Sequence, residues 1–504
     1  MSKAIPFLIL TNEDLLKILN HFAEQAEKDM TVGEVYNACE NFCKNNPEQG
    51  WNLVDYMKKN NKPKFLINAL VGLSVNESEK VFNYTNNLYR TEFITQAIII
   101  LGFINYNTIE QVNKTFEKFK EQLKKSVKEN IIALSNSLGR LLYQPITAKY
   151  NLVSEIFGFI SQILNKKIPE AQYNILNNLT FINEKGLYNE YKVKLLKYFY
   201  DASYEYKGII QNLSYYLHDL KNPLIILDFL RNWILNHDEI KDLDDFEYAL
   251  QDSYTNNPEQ FIEEYIKLLI HPKAKIRNTI KTIFKIVILS ETNKELWIKS
   301  INSLTFKQQK LLFKSLNDYS IDIKDRLTIG SLLIKTHNHN VYKFLLQEFV
   351  WLIQDFGSMI KDILDNIVDK NDGMEADFIN AFINYYQEIT TFWKKKSEVN
   401  ELNPTLNQTG IFNKFNEIYQ KKQNEFFSNY KSDKTSFLNM ITKVQIGRGR
   451  MFKMGDNSAP GYMSKFETSY IIPRTLMIFP EYYNYSWNKL QNEEWEENDA
   501  KTHC

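Results

Sequence analysis

"NNPEQGWNLVDYMKKNNKPKFLINALVGL" (Asn45–Leu73) and "NNPEQFIEEYIKLLIHPKAKIRNTIKTIF" (Asn256–Phe284) open on the same five residues and then follow the same course. Each runs for about one helix, breaks at a second proline, Pro63 or Pro272, and resumes as a more apolar helix. Proline breaks a helix because it has no N–H and its ring crowds the preceding turn. The pattern is that of an antiparallel helix pair. Pairs recurring at roughly 40 residues cannot bury their apolar faces singly, so they must stack on one another.

The totals agree with helices. Only 16 glycines and 12 prolines occur in 504 residues, against an ordinary combined usage of roughly 12%, and a chain of many tight β-turns needs more. Sixty-one basic and 61 acidic side chains leave no net field to draw in nucleic acid or a membrane, so charge-driven binding has to be local. The opening apolar run, Ile5 to Leu10, is too short for a signal-peptide core. The most apolar window, Phe93 to Ile104, contains Thr95 and Gln96 and reads as a buried helix, with no membrane span expected. Three cysteines, Cys39, Cys43 and Cys504, make no disulfide framework, so the expectation is a soluble, cytoplasmic, reducing-compartment protein.

Helix starts are marked by capping boxes, in which a Ser or Thr and a residue three positions on satisfy two orphan backbone donors. Thr11 with Asp14, Thr31 with Glu34, Ser74 with Glu77, Thr292 with Glu295 and Thr305 with Gln308 fit. Pro169, Pro223, Pro258 and Pro272 predict further starts, since proline costs nothing at the first helical position. The reading is an all-α chain: stacked antiparallel helix pairs over 1–395, a linker at 396–410, a helical segment at 411–441 and an irregular arm with an acidic tail at 442–504.

The stretch "HPKAKIRNTIKTIFKIVIL" (His271–Leu289), a proline-opened helix with Arg277 at its shoulder, resembles a repeat of the HEAT and armadillo-like α-solenoids. The resemblance spans Thr11 to Trp393 as architecture. It implies a scaffold for protein partners or, in a minority of such folds, a surface that grips nucleic acid.

On that helix Lys273, Arg277, Lys281 and Lys285 recur every four residues. On a continuous α-helix they form one ridge beside Ile276, Ile280, Ile283 and Val287. Like charges at this spacing repel, and no acid lies between His271 and Ser290, so the ridge calls for an anionic neighbour. Two readings are open: the acid-rich stretch Asp238 to Glu264 within the chain, or a phosphate backbone or acidic partner. The lysines Lys114, Lys118, Lys120, Lys124, Lys125 and Lys128, interrupted by Glu117 and Glu121, read as a solvated face.

No metal, cofactor or catalytic motif is found. Cys39 and Cys43 stand four apart without a second ligand pair, and His337 and His339 are expected on different sides of a helix. There is no Gly-x-Ser-x-Gly elbow and no His-Glu-x-x-His. A HEAT-like glycosylase needs little beyond an acid, an arginine and a tryptophan, which Trp233, Trp297 or Trp351 could supply; core packing is the alternative for all three.

The arm carries "GRGRMFKMG", which lacks the Gly-Lys-Ser/Thr of a phosphate loop and the third glycine of a dinucleotide site. What remains is Arg448, Arg450 and Lys453 on a glycine-jointed chain, suited to carboxylates or phosphates of a partner or of the protein's own acidic helices. Phe479, Tyr482, Tyr483, Tyr485 and Trp487 follow as candidate aromatic anchors. The functional expectation is a non-enzymatic scaffold or adaptor binding other protein subunits. The alternative is a nucleic-acid-binding solenoid in a DNA- or RNA-processing or defence assembly.

Overall fold

The computed structural model describes residues 10–422 except 30–31, 181–187, 204–205, 241, 288–290, 317–322, 357, 368–372, 399–409, 412 and 420. Among the described residues the fold is all-α. They divide into two compact units, the first from Met1–His271 and Lys275–Ile288, the second from Pro272–Ala274 and Leu289–Cys504.

The first unit starts with α1 (Asn12–Asp29), where the Thr11 hydroxyl and the Asp14 carboxylate and amide bond reciprocally, as the capping box predicts. It continues with α2 (Val32–Asn45), α3 (Pro47–Lys59) and α4 (Leu66–Leu88), the last entered through a 3-10 turn at Pro63–Phe65. Pro47 lies in the first turn of α3 and Pro63 opens the joint, so the first echoing stretch is a helix pair. The start expected at Ser74 is displaced. Ser74 bonds back to the Val71 carbonyl inside α4, and the chain leaves helical geometry three residues later, at Glu77 (φ −130°, ψ 48°). The break lets the two halves of α4 serve different layers. Gly72 and Asn76 meet α2, while Tyr84 stacks edge-on with Trp51 of α3 at 5.2 Å.

The unit proceeds through α5 (Ile94–Phe103), α6 (Ile109–Lys125), α7 (Lys128–Leu141), the short α8 (Pro145–Lys149), α9 (Val153–Leu164), α10 (Pro169–Thr180), α11 (Asn189–Leu195), α12 (Lys207–Leu220), α13 (Pro223–Asn236), α14 (Glu247–Asn256), α15 (Pro258–Leu269) and α16 (Ala274–Ile280). Pro169, Pro223 and Pro258 stand at the expected first positions; Pro272 instead precedes α16 by two residues. The packing is serial. α2, α4, α5, α7, α10, α12 and α14 each rest on the next, forming one layer. Behind it, α3, α6, α9, α13 and α15 pack on that layer, with ring contacts such as Phe116 of α6 with Phe159 of α9, and Phe157 of α9 stacks on Tyr191 of α11. No pair closes its own core, which is why the pairs stack.

Close approach within the layer depends on glycine. A Cβ on Gly72 would lie 2.2 Å from the Glu40 carbonyl oxygen of α2, and one on Gly102 of α5 would lie 2.4 Å from Ser137 Cα of α7. α5, the apolar window read from the sequence, is ten residues long, with Ala97, Ile98, Ile100 and Leu101 fully buried. Each such isoleucine or leucine contributes about 1.5–3 kcal/mol of transfer free energy. No described helix is long and apolar enough to cross a membrane.

The second unit holds α17 (Glu291–Asn302), α18 (Phe306–Leu316), α19 (Ile323–Ile334), α20 (His339–Phe356), α21 (Ser358–Ile367) and α22 (Gly373–Glu398). The serial rule repeats: α17, α19 and α21 pack in sequence, and so do α18, α20 and α22. Thr305 and Gln308 form the capping box of α18 reciprocally, the Thr305 amide donating to Gln308 Oε1 at 2.9 Å. α17 starts at Glu291, so Thr292 lies inside its first turn and is not its cap. His337 and His339 sit at the α19–α20 joint and not within one helix. The described residues of 410–422 are helical, where a helix from Ile411 is expected.

Candidate binding face

The layer of the first unit has one side on the second row of helices and its opposite side in solvent. On α7 the solvent stripe runs through Ile132, Asn136 and Arg140, and Tyr143 follows just beyond the helix. On α10 it is Glu170, Tyr173 and Asn177; on α12, Gln211, Tyr215 and His218; on α14, Tyr248, Gln251 and Asp252. The steps of three and four residues keep each set on one helical face. Cross-helix contacts join the sets. Arg140 lies over the Phe103 ring at 5.2 Å, Lys128 pairs with Glu170 at 2.8 Å, Tyr173 meets Tyr206 at 5.7 Å, and His218 stacks on Tyr248 at 4.4 Å.

Tyr143, Tyr206, Tyr215 and Tyr248 are exposed, Tyr248 most of all at 58%. Tyr143 is oriented from below: its hydroxyl donates to the Asn178 carbonyl, and partial burial pushes its phenol pKa up. Asn174 donates to Ser135 at 3.1 Å and Gln144 to the Gly102 carbonyl at 2.9 Å, so amides fix the spacing of neighbouring helices under the face. Rings held on a rigid helix layer lose little freedom on binding.

At the α12–α14 end lies a charged cluster. His218 Nε2 is 3.5 Å from Asp252 Oδ2, and Nδ1 is 3.9 Å from Asp219 Oδ1. Asp219 also meets the buried Lys192 ammonium of α11 at 3.3 Å, beneath the Tyr216 ring. Two carboxylates and a phenol ring surround His218. Among the described residues no group of three or more His, Cys, Asp or Glu could hold a metal ion.

The structure describes the side chains of three of the four basic residues expected as one ridge, Lys273, Arg277 and Lys281. Lys273 precedes α16 and is exposed; Arg277 is 1% exposed, and its Nη1 donates to the His271 carbonyl at 2.6 Å. After Ile280 the backbone tightens into a 3-10 segment, Lys281–Ile286, which advances by 120° per residue, so a four-residue spacing no longer stays on one side. The backbone of Lys285 falls in that segment. Ile276, Ile280, Ile283 and Val287 are buried. The acid-rich stretch does lie alongside: Lys275 bonds Asp238 at 2.7 Å, and this holds the Asp238 carboxyl below its ordinary range. Arg448, Arg450, Lys453, Phe479, Tyr482, Tyr483, Tyr485 and Trp487 lie outside the described residues.

Other sequence candidates resolve simply. Cys39 and Cys43 are buried, Trp233 and Trp297 are fully buried, and Lys120 and Lys125 pair with Glu117 and Glu121 at the surface. The sequence reading missed the exposed tyrosines. Their signal was a tyrosine at the solvent position of successive second helices, which becomes visible only once it is known which helix of each pair forms the layer. No protein family, no curated protein and no solved structure matches the chain.

Proposed function

We propose that the chain is a HEAT-like α-solenoid acting as a non-enzymatic scaffold or adaptor for protein partners in an intracellular, cytoplasmic complex. The observation that carries this reading is the tyrosine and amide face across α7, α10, α12 and α14. Tyrosine offers a large ring and a hydrogen-bonding tip at low entropic cost, and it is enriched where protein interfaces concentrate their energy. The face mixes Glu170, Asp252, Lys128 and Arg140, without the run of lysine and arginine that phosphate contacts need. That balance favours a protein over a nucleic acid. In this reading the arm adds a second contact through Arg448, Arg450 and Lys453 and the aromatic residues from Phe479 to Trp487.

The test is capture by the immobilised full chain before and after nuclease, with a Tyr143→Ala/Tyr215→Ala variant of equal helicity beside it. The expected result is nuclease-resistant capture that the double variant loses. Capture that nuclease abolishes, or heparin retention falling steeply with salt, selects the nucleic-acid alternative. Deletion after Thr442 reports separately on the arm.

A further inference from the structure

Of the two carboxylates flanking His218, one is already neutralised. Asp219 faces the buried Lys192 ammonium at 3.3 Å. Asp252 differs: its Oδ2 is buried against the His218 ring at 3.5 Å and makes no hydrogen bond. The Asp252 side chain nevertheless keeps 29% of its exposure. Tyr248 precedes it by one helical turn, so ring and carboxylate stand on the same side of α14. The His218 ring covers one side of the Tyr248 ring at 4.4 Å with only 22° between the planes, and Tyr248 is 58% exposed.

We infer that this corner of the face receives a cationic side chain of the partner, a guanidinium in particular. The inference rests on the reading of the face as a protein-binding surface. A guanidinium is flat, weakly hydrated and always charged, so it can lie on the open side of Tyr248 while its edge bonds Asp252. α14 itself carries Glu247 and Asp252 and no lysine or arginine. An acidic or phosphate group placed there meets the like charge of the Asp252 carboxylate. The sequence pointed to a basic ridge seeking an anion; the neighbouring helix instead presents an anion and an open ring.

The experiment uses the full chain with two probes, N-acetyl-arginine N-methylamide and its neutral isostere N-acetyl-citrulline N-methylamide, read by saturation-transfer NMR. Transfer to the arginine probe should exceed that to citrulline by about fivefold, from stacking plus one exposed ion pair. It should drop to the citrulline level in Asp252→Asn, which keeps the side-chain shape, and in Tyr248→Ala. Equal transfer to both probes, or an arginine signal that Asp252→Asn and Tyr248→Ala leave intact in folded protein, overturns the inference. Tyr143→Ala, remote from the corner, separates the two readings. Partner capture that needs Tyr143 but ignores Asp252→Asn sinks the cation site alone; arginine binding without any partner capture sinks the scaffold reading alone.

Discussion

The helix pairs that begin at Asn45 and Asn256 share five residues and almost the same entry geometry, yet they end differently. Asn46 and Asn257 have φ of −129° and −147°, with ψ of 71° and 73°, and a proline follows each in the first turn. From there the neighbours decide. In the first pair, Gly50 and Gly72 let α3 and α4 sit against α2, and α4 runs 23 residues with a break at Glu77. In the second, Phe261 fills the position of Gly50, α16 lasts seven residues, and the buried Arg277 bonds the His271 carbonyl before the chain tightens. The shared segment specifies how a helix starts. What the helix rests on specifies how far it runs.

The largest expected effect tests the glycine contact of the first pair. In Gly72→Val the new Cβ meets the Glu40 carbonyl oxygen, which is backbone and cannot swing aside. Overpacking of this kind costs about 3 kcal/mol. Urea unfolding followed by helical circular dichroism should show an earlier first transition; an unchanged midpoint would mean that α2 and α4 are not in close contact. The matching change in the second pair is Arg277→Met, which keeps the stem volume and removes the bond to His271. A buried charged hydrogen bond contributes about 2 kcal/mol. The variant should lose that stability while heparin retention stays as it was, because the guanidinium is not at the surface. Reduced retention with unchanged stability would return Arg277 to the anion-binding role read from the sequence.

These two residues also mark how far the sequence could be read. Helix class, the capping boxes at Thr11 and Thr305, and the proline starts at Pro169, Pro223 and Pro258 depend on groups within one turn, so local sequence shows them. The kink at Glu77 and the 3-10 tightening after Ile280 depend on neighbouring helices, and the same periodicity is compatible with a straight helix in both places. The basic ridge is drawn on the same assumption. A four-residue repeat maps to one side only if the helix is continuous and that side faces water; α16 ends at Ile280, and Arg277 within it is buried. The tyrosine face was hidden for a related reason: Tyr215 and Tyr248 are ordinary residues until the stacking order puts their helices side by side.

A smaller effect separates the two asparagines. Asn257 accepts the Gln260 amide at 3.3 Å, whereas Asn46 makes no cap bond and turns its amide to the Phe42 carbonyl at 3.2 Å. Asn257→Ala should therefore cost about 1 kcal/mol, the usual value of a cap, and Asn46→Ala less. Thermal melts of the two variants check this, and equal losses would mean that both asparagines cap alike.

The smallest effect is one of pH and belongs to the first pair. The Trp51 indole N–H donates to Glu77 Oε2 at 2.5 Å, and Lys80 pairs with the same oxygen at 3.3 Å, lying over the Trp51 ring. The Trp51 bond first, and Lys80 after it, hold the Glu77 carboxyl below its ordinary value of 4.5. A depressed folded-state pKa gives a contribution that is complete above the unfolded value and is lost as pH falls through the folded one. Acidification below 4.5 should therefore loosen the staple across the α4 break, by a few tenths of a kcal/mol because the group is partly exposed. Glu77→Gln keeps an acceptor for Trp51 and removes the titration. Amide exchange around residues 74–80 should quicken in acid for the native chain and stay level in the variant. Equal acid sensitivity in both would place the pH response elsewhere and leave the kink to backbone packing alone.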